Sequence, residues 1–159
     1  MEKIIVADCD GVLLNWEYAF CIWLEAKGYT QLPDGNKEYN LAKRFGISGN
    51  KAAEQVKIFN ASAAMGFLPA LRDARYYVKR LHEELGYDFH CVTSLGLDPS
   101  AKKLRQMNLD KLFGPTAFPV LDCLDTNAPK DAALEKYRDS GYYWIEDKFE
   151  NAICGQNLG

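Results

Sequence analysis

The run Ile4-Ile5-Val6-Ala7, followed at once by Asp8-Cys9-Asp10-Gly11, constrains this chain more than any other stretch. Small and β-branched apolar residues in unbroken succession predict a buried strand of the kind found in parallel sheets covered on both faces. The two carboxylates at its exit can converge at the C-terminal edge of the sheet, where open α/β folds place their ligands. Burying two anions so close together costs several kcal/mol unless a cation or a shared proton compensates. A hard divalent ion with oxygen ligands is the natural compensator, and Mg²⁺ is the usual one beside phosphate. Gly11 then permits the sharp turn that carries the chain away.

The remainder of the chain fits one α/β domain with a modest insertion. A chain of 159 residues is long enough for a real core, and 48% apolar with 26% charged residues is the balance of a soluble globular protein. A net charge of −3 argues against binding a nucleic-acid backbone by bulk electrostatics. No apolar run is long enough to span a bilayer, and no basic segment leads into a signal-like stretch, so a cytoplasmic location is expected. Cys9, Cys21, Cys91, Cys123 and Cys154 are widely spaced and odd in number, which predicts reduced thiols rather than a disulfide or zinc framework. Cys9 lies between carboxylates, a poor setting for a thiolate nucleophile. His82 and His90 are isolated and read as structural.

Residues 15–27 carry Trp16, Ala19, Phe20, Trp23 and Leu24 at helical spacing, with Asn15 as N-cap and Gly28 as stop. A turn cluster over 31–36, a helix over 37–45 and another over 49–60 complete a helical insertion spanning 15–70. Leu71, Ala74, Val78, Leu81 and Leu85 mark an amphipathic helix. The next strand ends in Thr93-Ser94, a hydroxyl-rich exit suited to cradling phosphate oxygens. Asp98-Pro99 opens a helix to about Met107. A third strand is expected over 117–123 and a helix over 128–139, with Lys130 in its first turn, where a cation opposes the macrodipole and asks for a reason. The fourth strand, Tyr142–Ile145, ends in Glu146-Asp147, with Asn151 four residues on.

These stretches, taken together and in order, resemble the four motifs of the haloacid dehalogenase (HAD) superfamily: Asp8-Cys9-Asp10-Gly11-Val12, the strand ending in Thr93, Lys130 at a helix start, and Glu146-Asp147 with Asn151. The order of elements is similar to that of 5′-deoxyribonucleotidase-type members, which carry a small helical cap after the first motif. The resemblance implies a three-layer α/β/α core with a parallel sheet from residues 1–14 and 71–159, and a cap from 15–70. It implies a Mg²⁺-dependent phosphomonoester hydrolase acting on a small phosphorylated metabolite, leaning to a (deoxy)nucleotide. Asp8 would be the nucleophile that becomes an aspartyl-phosphate, and Asp10 the general acid and base. Thr93 and Lys130 would hold the phosphoryl group, with Ser94 and Gly11 completing the phosphate cradle. The ion would be held by Asp8, the backbone carbonyl of Asp10, and Asp147, with Glu146 on it or directly behind it. Members usually continue past the fourth motif with a helix, a glycine turn and another strand. This sequence ends at Gly159, so a trimmed fold and a truncated chain both stay open.

Two other readings share the same residues. One is a HAD-like binding domain without turnover. The other is a helix-turn-helix DNA binder over residues 41–57, opposed by the acidic balance and by a second helix poor in base-reading side chains. The aromatic residues Trp16, Tyr18, Phe20, Trp23, Phe45 and Phe59 could stack a nucleobase, although aromatics at helical spacing more often form core.

Overall fold

In the computed structural model, which describes residues 2–159, the run Ile4–Ala7 forms strand β1 inside a four-stranded parallel sheet. Asp88–Thr93 is β2, Val120–Cys123 is β3 and Tyr143–Ile145 is β4, in the order β3-β2-β1-β4. Ile5 stands opposite Phe89 and Tyr143, and Ala7 opposite Cys91 and Ile145. Because side chains alternate along a strand, Ile5, Ala7, Phe89, Cys91 and Leu121 share one face while Val6 and Val92 share the other.

Helices cover both faces. The first face carries Ala74–Lys79 (α4, prolonged by a π-helical stretch Arg80–Glu84) and Pro99–Phe113 (α5), through Val78, Ala101, Leu109 and Phe113. The second face carries Asp131–Leu134 (α6) and Phe149–Gln156 (α7), through Leu134 and Cys154. The result is the expected three-layer α/β/α arrangement. Trp16–Ala26 (α1), Leu41–Phe45 (α2) and Gly49–Asn60 (α3) are inserted between β1 and β2. The insertion leaves and returns at one point: the Asn15 N–H donates to the Pro69 carbonyl at 2.8 Å, and the Leu71 N–H to that of Leu13 at 2.9 Å.

Several element boundaries differ from the sequence expectation, each for a local reason. The helix expected over 37–45 is only Leu41–Phe45. Asn40 closes off its start by accepting the Lys43 N–H, while the Asn40 N–H donates to the Glu38 carboxylate, so the chain cannot run helically through it. The helix from Pro99 continues past Met107 to Phe113, because Leu109 and Phe113 extend its buried row, and Gly114 ends it at φ 98°. The strand expected over 117–123 starts only at Val120, since Pro119 has no N–H for the ladder. The helix expected over 128–139 shrinks to Asp131–Leu134 and a 3-10 turn, Glu135–Tyr137. Beyond it, the Asp139 N–H donates to the Leu158 carbonyl instead of back into a helix. No helix among the described residues is long and apolar enough to cross a membrane.

Inside the insertion, Trp16 stacks on Phe20 at 4.8 Å between centroids, and Phe59 packs edge-on against both rings. Phe20 and Phe59 are core, as their spacing suggests, and Trp16 is half-buried between them and the cavity. The histidines are structural too: His82 lies 2.8 Å from the Tyr87 carbonyl, and His90 lies 3.0 Å from the Tyr137 hydroxyl. All five cysteines are free.

Candidate active site

Asp8 is held in place at the end of β1 because its N–H still donates to the Ile145 carbonyl of β4, at 2.9 Å. Its side chain, in a residue only 8% exposed, meets two donors. The Cys9 N–H reaches Oδ1 at 2.7 Å, and Lys130 Nζ reaches the same oxygen at 2.8 Å. Both contacts fall on Oδ1, leaving Oδ2 for an incoming atom. Lys130, itself buried, makes a second contact of 2.7 Å to Glu146 Oε2 and lies 5.2 Å from the Trp144 ring centroid. Glu146 Oε1 accepts the N–H groups of Asp147 and Lys148, each at 3.1 Å. Asp8, Lys130 and Glu146 are therefore one buried chain of alternating charge.

That alternation sets the electrostatics. Burial dominates at Asp8 and, with help from Glu146 and Asp10, pushes its carboxyl up to about 7 against the pull of Lys130. Burial also opposes the charge of Lys130, but Asp8 and Glu146 outweigh it and hold the ammonium above its ordinary value. At Glu146 the burial penalty is overcome by Lys130 and the Lys148 N–H, so that carboxyl lies low. Lys130 stands just before the four-residue α6, at its cap position. The macrodipole of so short a helix is a weak reason for or against a cation there. The two carboxylates account for it instead.

Asp147 is exposed and lies against Gly11. A Cβ on Gly11 would come within 2.3 Å of Asp147 Oδ2, and Gly11 has φ 85°. Only glycine gives both the turn and the clearance. Oxygens of Asp8, Glu146 and Asp147 all lie within 4.8 Å of one another. This donor set is all oxygen and carries more negative charge than Lys130 offsets, which suits a hard cation such as Mg²⁺. Burial, followed by Glu146, pushes the Asp147 carboxyl up, as expected of a carboxylate crowded by another.

The remaining expected residues divide. Thr93 ends β2 at 1% exposure. The Ser94 hydroxyl donates to the Ala128 carbonyl at 2.9 Å, tying two site loops together. The Asp10 carboxylate stands outside the carboxylate group. Arg105 of α5 grips it, with Nη1 2.6 Å from Oδ1 and Nη2 3.2 Å from Oδ2. Sequence reasoning missed Arg105. The signal was present: Ala101, Arg105, Leu109 and Phe113 are four residues apart, so an arginine sits in the buried row and requires an anion.

Asp8, Asp10, Thr93, Lys130, Glu146 and Asp147 line one side of a cavity of about 920 Å³, with Arg105 behind them. Trp16, Tyr39, Leu41, Ala52 and Val56 of the insertion line the other. Arg44, in the first helix of the 41–57 stretch, points inward. Its guanidinium donates twice to the Glu38 carbonyl, at 3.0 and 2.7 Å, and meets Glu17 at 2.9 Å.

No protein-family model matches the chain. It is 28% identical over 145 residues to a 32.4 kDa protein from the Gp30–rIII intergenic region of Enterobacteria phage T4, a match covering 86% of this chain and 51% of that protein. The chain thus spans about half the length of that relative. Among solved structures it is similar to a haloacid dehalogenase-like family hydrolase of Streptococcus pneumoniae, with TM-score 0.61 and 15% identity over 99% of this chain and 81% of that one. It is also similar to a HAD-superfamily hydrolase of subfamily IA from Geobacter sulfurreducens, with TM-score 0.57, 16% identity, and 99% and 84% covered. A third is CbbY from Rhodobacter sphaeroides, solved with phosphate, with TM-score 0.53, 15% identity, and 99% and 84% covered. At such identities the shared property is the fold: a HAD-like α/β core.

Proposed function

We propose that the chain is a Mg²⁺-dependent phosphomonoester hydrolase that forms an aspartyl-phosphate on Asp8. The observation that carries this reading is the buried Asp8–Lys130–Glu146 chain, which fixes one oxygen of Asp8 and leaves the other for substrate. Asp8 Oδ2 attacks phosphorus, and the bond from phosphorus to the leaving oxygen breaks. Asp10, which enters this step protonated, gives that oxygen its proton and is left as the carboxylate. It then takes a proton from the water that attacks the acyl-phosphate, releasing inorganic phosphate and restoring Asp8. Lys130 keeps Asp8 aimed and screens its charge, and Thr93 closes the phosphoryl site from β2. Asp8, Asp147 and the Asp10 carbonyl would hold Mg²⁺, with Glu146 on the ion or directly behind it. When bound, the ion would offset the charge of the incoming phosphate dianion.

Residues 15–70 serve in this reading as a cap over the catalytic edge, shielding the acyl-phosphate from stray water and contacting the leaving group. The substrate is a small phosphorylated metabolite, with a (deoxy)nucleotide favoured. Apolar Leu41 and Val56 and the rings of Trp16 and Tyr39 line the cavity opposite the carboxylates, and a volume of about 920 Å³ accommodates a nucleoside. The test is inorganic phosphate release from an aryl phosphate and from nucleoside monophosphates, with Mg²⁺ and with chelator. Turnover that requires Mg²⁺ is expected; no release from any of these substrates contradicts the proposal.

A further inference from the structure

Arg105 is fully buried in the middle of α5, in a row otherwise made of Ala101, Leu109 and Phe113. Enclosing a guanidinium there is costly, and an apolar side chain of similar volume would often be as stable or more so. Nor are its donors fully satisfied. Both terminal nitrogens grip Asp10, Nη2 also lies 3.6 Å from Met65 Sδ, and Nε has no hydrogen-bond partner among the described residues. Its ion-pair partner is the candidate acid and base, whose side chain is 26% exposed and borders the cavity.

A two-pronged contact does more than neutralise charge. A planar fork holding both carboxylate oxygens fixes the rotation as well as the place of that carboxylate, which a point charge cannot do. The other end of the contact leads into the insertion. Met65 lies in the 3-10 turn Ala63–Gly66, on the return path to the core. That turn packs so tightly on α5 that a Cβ on Gly66 would be 2.7 Å from Met107 Cε. The Asn108 side chain, next on the same helix face, donates to the Leu68 carbonyl at 3.1 Å. Arg105 therefore joins three things: the carboxylate of Asp10, helix α5, and the returning segment of the insertion.

We infer that Arg105 is a positioning residue that orients the Asp10 carboxylate toward the cavity, so that the steps served by Asp10 depend on it and the attack by Asp8 does not. The inference rests on the aspartyl-phosphate reading above. It separates two half-reactions that a merely structural arginine would affect alike. Phosphoryl transfer from a substrate with a good leaving group needs Asp8 but little help from Asp10. Hydrolysis of the acyl-phosphate needs Asp10 to take the proton of the attacking water.

The experiment uses the full chain and the variants Arg105→Met, Arg105→Lys, Asp10→Asn and Arg105→Met/Asp10→Asn, with 4-nitrophenyl phosphate and Mg²⁺ in a rapid-quench apparatus. In Arg105→Met the nitrophenolate burst should stay within about 3-fold of wild type. Breakdown of the phosphoenzyme should slow by about 10²-fold, the lower range for losing a general base, so that phosphoenzyme accumulates. Arg105→Lys should fall between the two, and its direction of change stands as the test should the methionine variant not fold. In the Asp10→Asn background, Arg105→Met should slow breakdown no further. Equal loss in both half-reactions, or a full additional loss in the double variant, overturns the positioning role while leaving the phosphatase reading intact. A wild-type chain that forms no phosphoenzyme overturns both.

Discussion

Replacing Lys130 with methionine removes the cation that separates two buried carboxylates, and the cost should depend on pH. Breaking a buried ion pair by deleting one partner costs about 3–5 kcal/mol. Two partners share Lys130, Glu146 at 2.7 Å and Asp8 at 2.8 Å, but they are not charged over the same range. Asp8, raised to about 7 by burial, is largely protonated in the metal-free protein at pH 5.5. There the variant should lose chiefly the Glu146 contact, about 3 kcal/mol. At pH 8 the wild-type Asp8 is ionised against Lys130. Without Lys130 its carboxyl rises further and stays protonated.

A carboxyl raised above its unfolded value favours the native state at low pH, and that contribution fades as pH rises through the folded value. The wild type releases its Asp8 proton near 7, and its stability then stops falling on this account. The variant keeps the proton through pH 8 and loses about 1.4 kcal/mol more over that last unit. Lys130 stays charged at both pH values, so it adds no slope of its own. The variant should thus be about 1–2 kcal/mol worse at pH 8 than at pH 5.5, for a total near 4–5 kcal/mol. Urea unfolding of both proteins in chelator, at the two pH values and compared at equal m, reads these differences. A loss below about 1 kcal/mol at both pH values, or a larger loss at pH 5.5, would mean that Lys130 does not hold these two carboxylates apart.

Two further outcomes are expected. Gly11→Ala combines φ 85° with a Cβ only 2.3 Å from Asp147 Oδ2. It should destabilise by about 1–2 kcal/mol and, by displacing Asp147, weaken Mg²⁺ binding about 10-fold or more in calorimetry; unchanged affinity would remove Asp147 from the ion's site. Mg²⁺ affinity of the wild type should rise from pH 6 to pH 8, because burial raises the carboxyls of both Asp8 and Asp147 and protons compete with the ion for them. Calorimetry in buffers of different ionisation enthalpy should count released protons at pH 6.5, and a pH-independent affinity would contradict it.

Much of this site is readable from the chain because strand ends are readable. The apolar run at 4–7 and the stretch 89–92, broken only by His90, read as interior strands, and the polar residues that stop them, Asp8 and Thr93, are carried to the same sheet edge by parallel pairing. Glu146-Asp147 reaches that edge for the same reason. Lys130 was legible as an oddity, but its cause lies in two carboxylates distant in sequence, and the helix meant to explain it is only four residues long. Arg105 was hidden because a periodic helix invites attention to its apolar members, and the anion it serves is 95 positions away. The boundaries around Asn40 and Asp139 were lost to side-chain and backbone hydrogen bonds that compete with helix and that propensity does not register.

The central claim is that Asp8 carries the phosphoryl group. Acid quench of the Asp10→Asn variant during turnover of a labelled aryl phosphate with Mg²⁺, with peptide mapping of the product, tests it directly. Label is expected on Asp8, stable in acid and released by hydroxylamine, with none when Asp8→Asn is combined with that variant. Label on another residue, or turnover in Asp8→Asn within a few-fold of wild type, would contradict it.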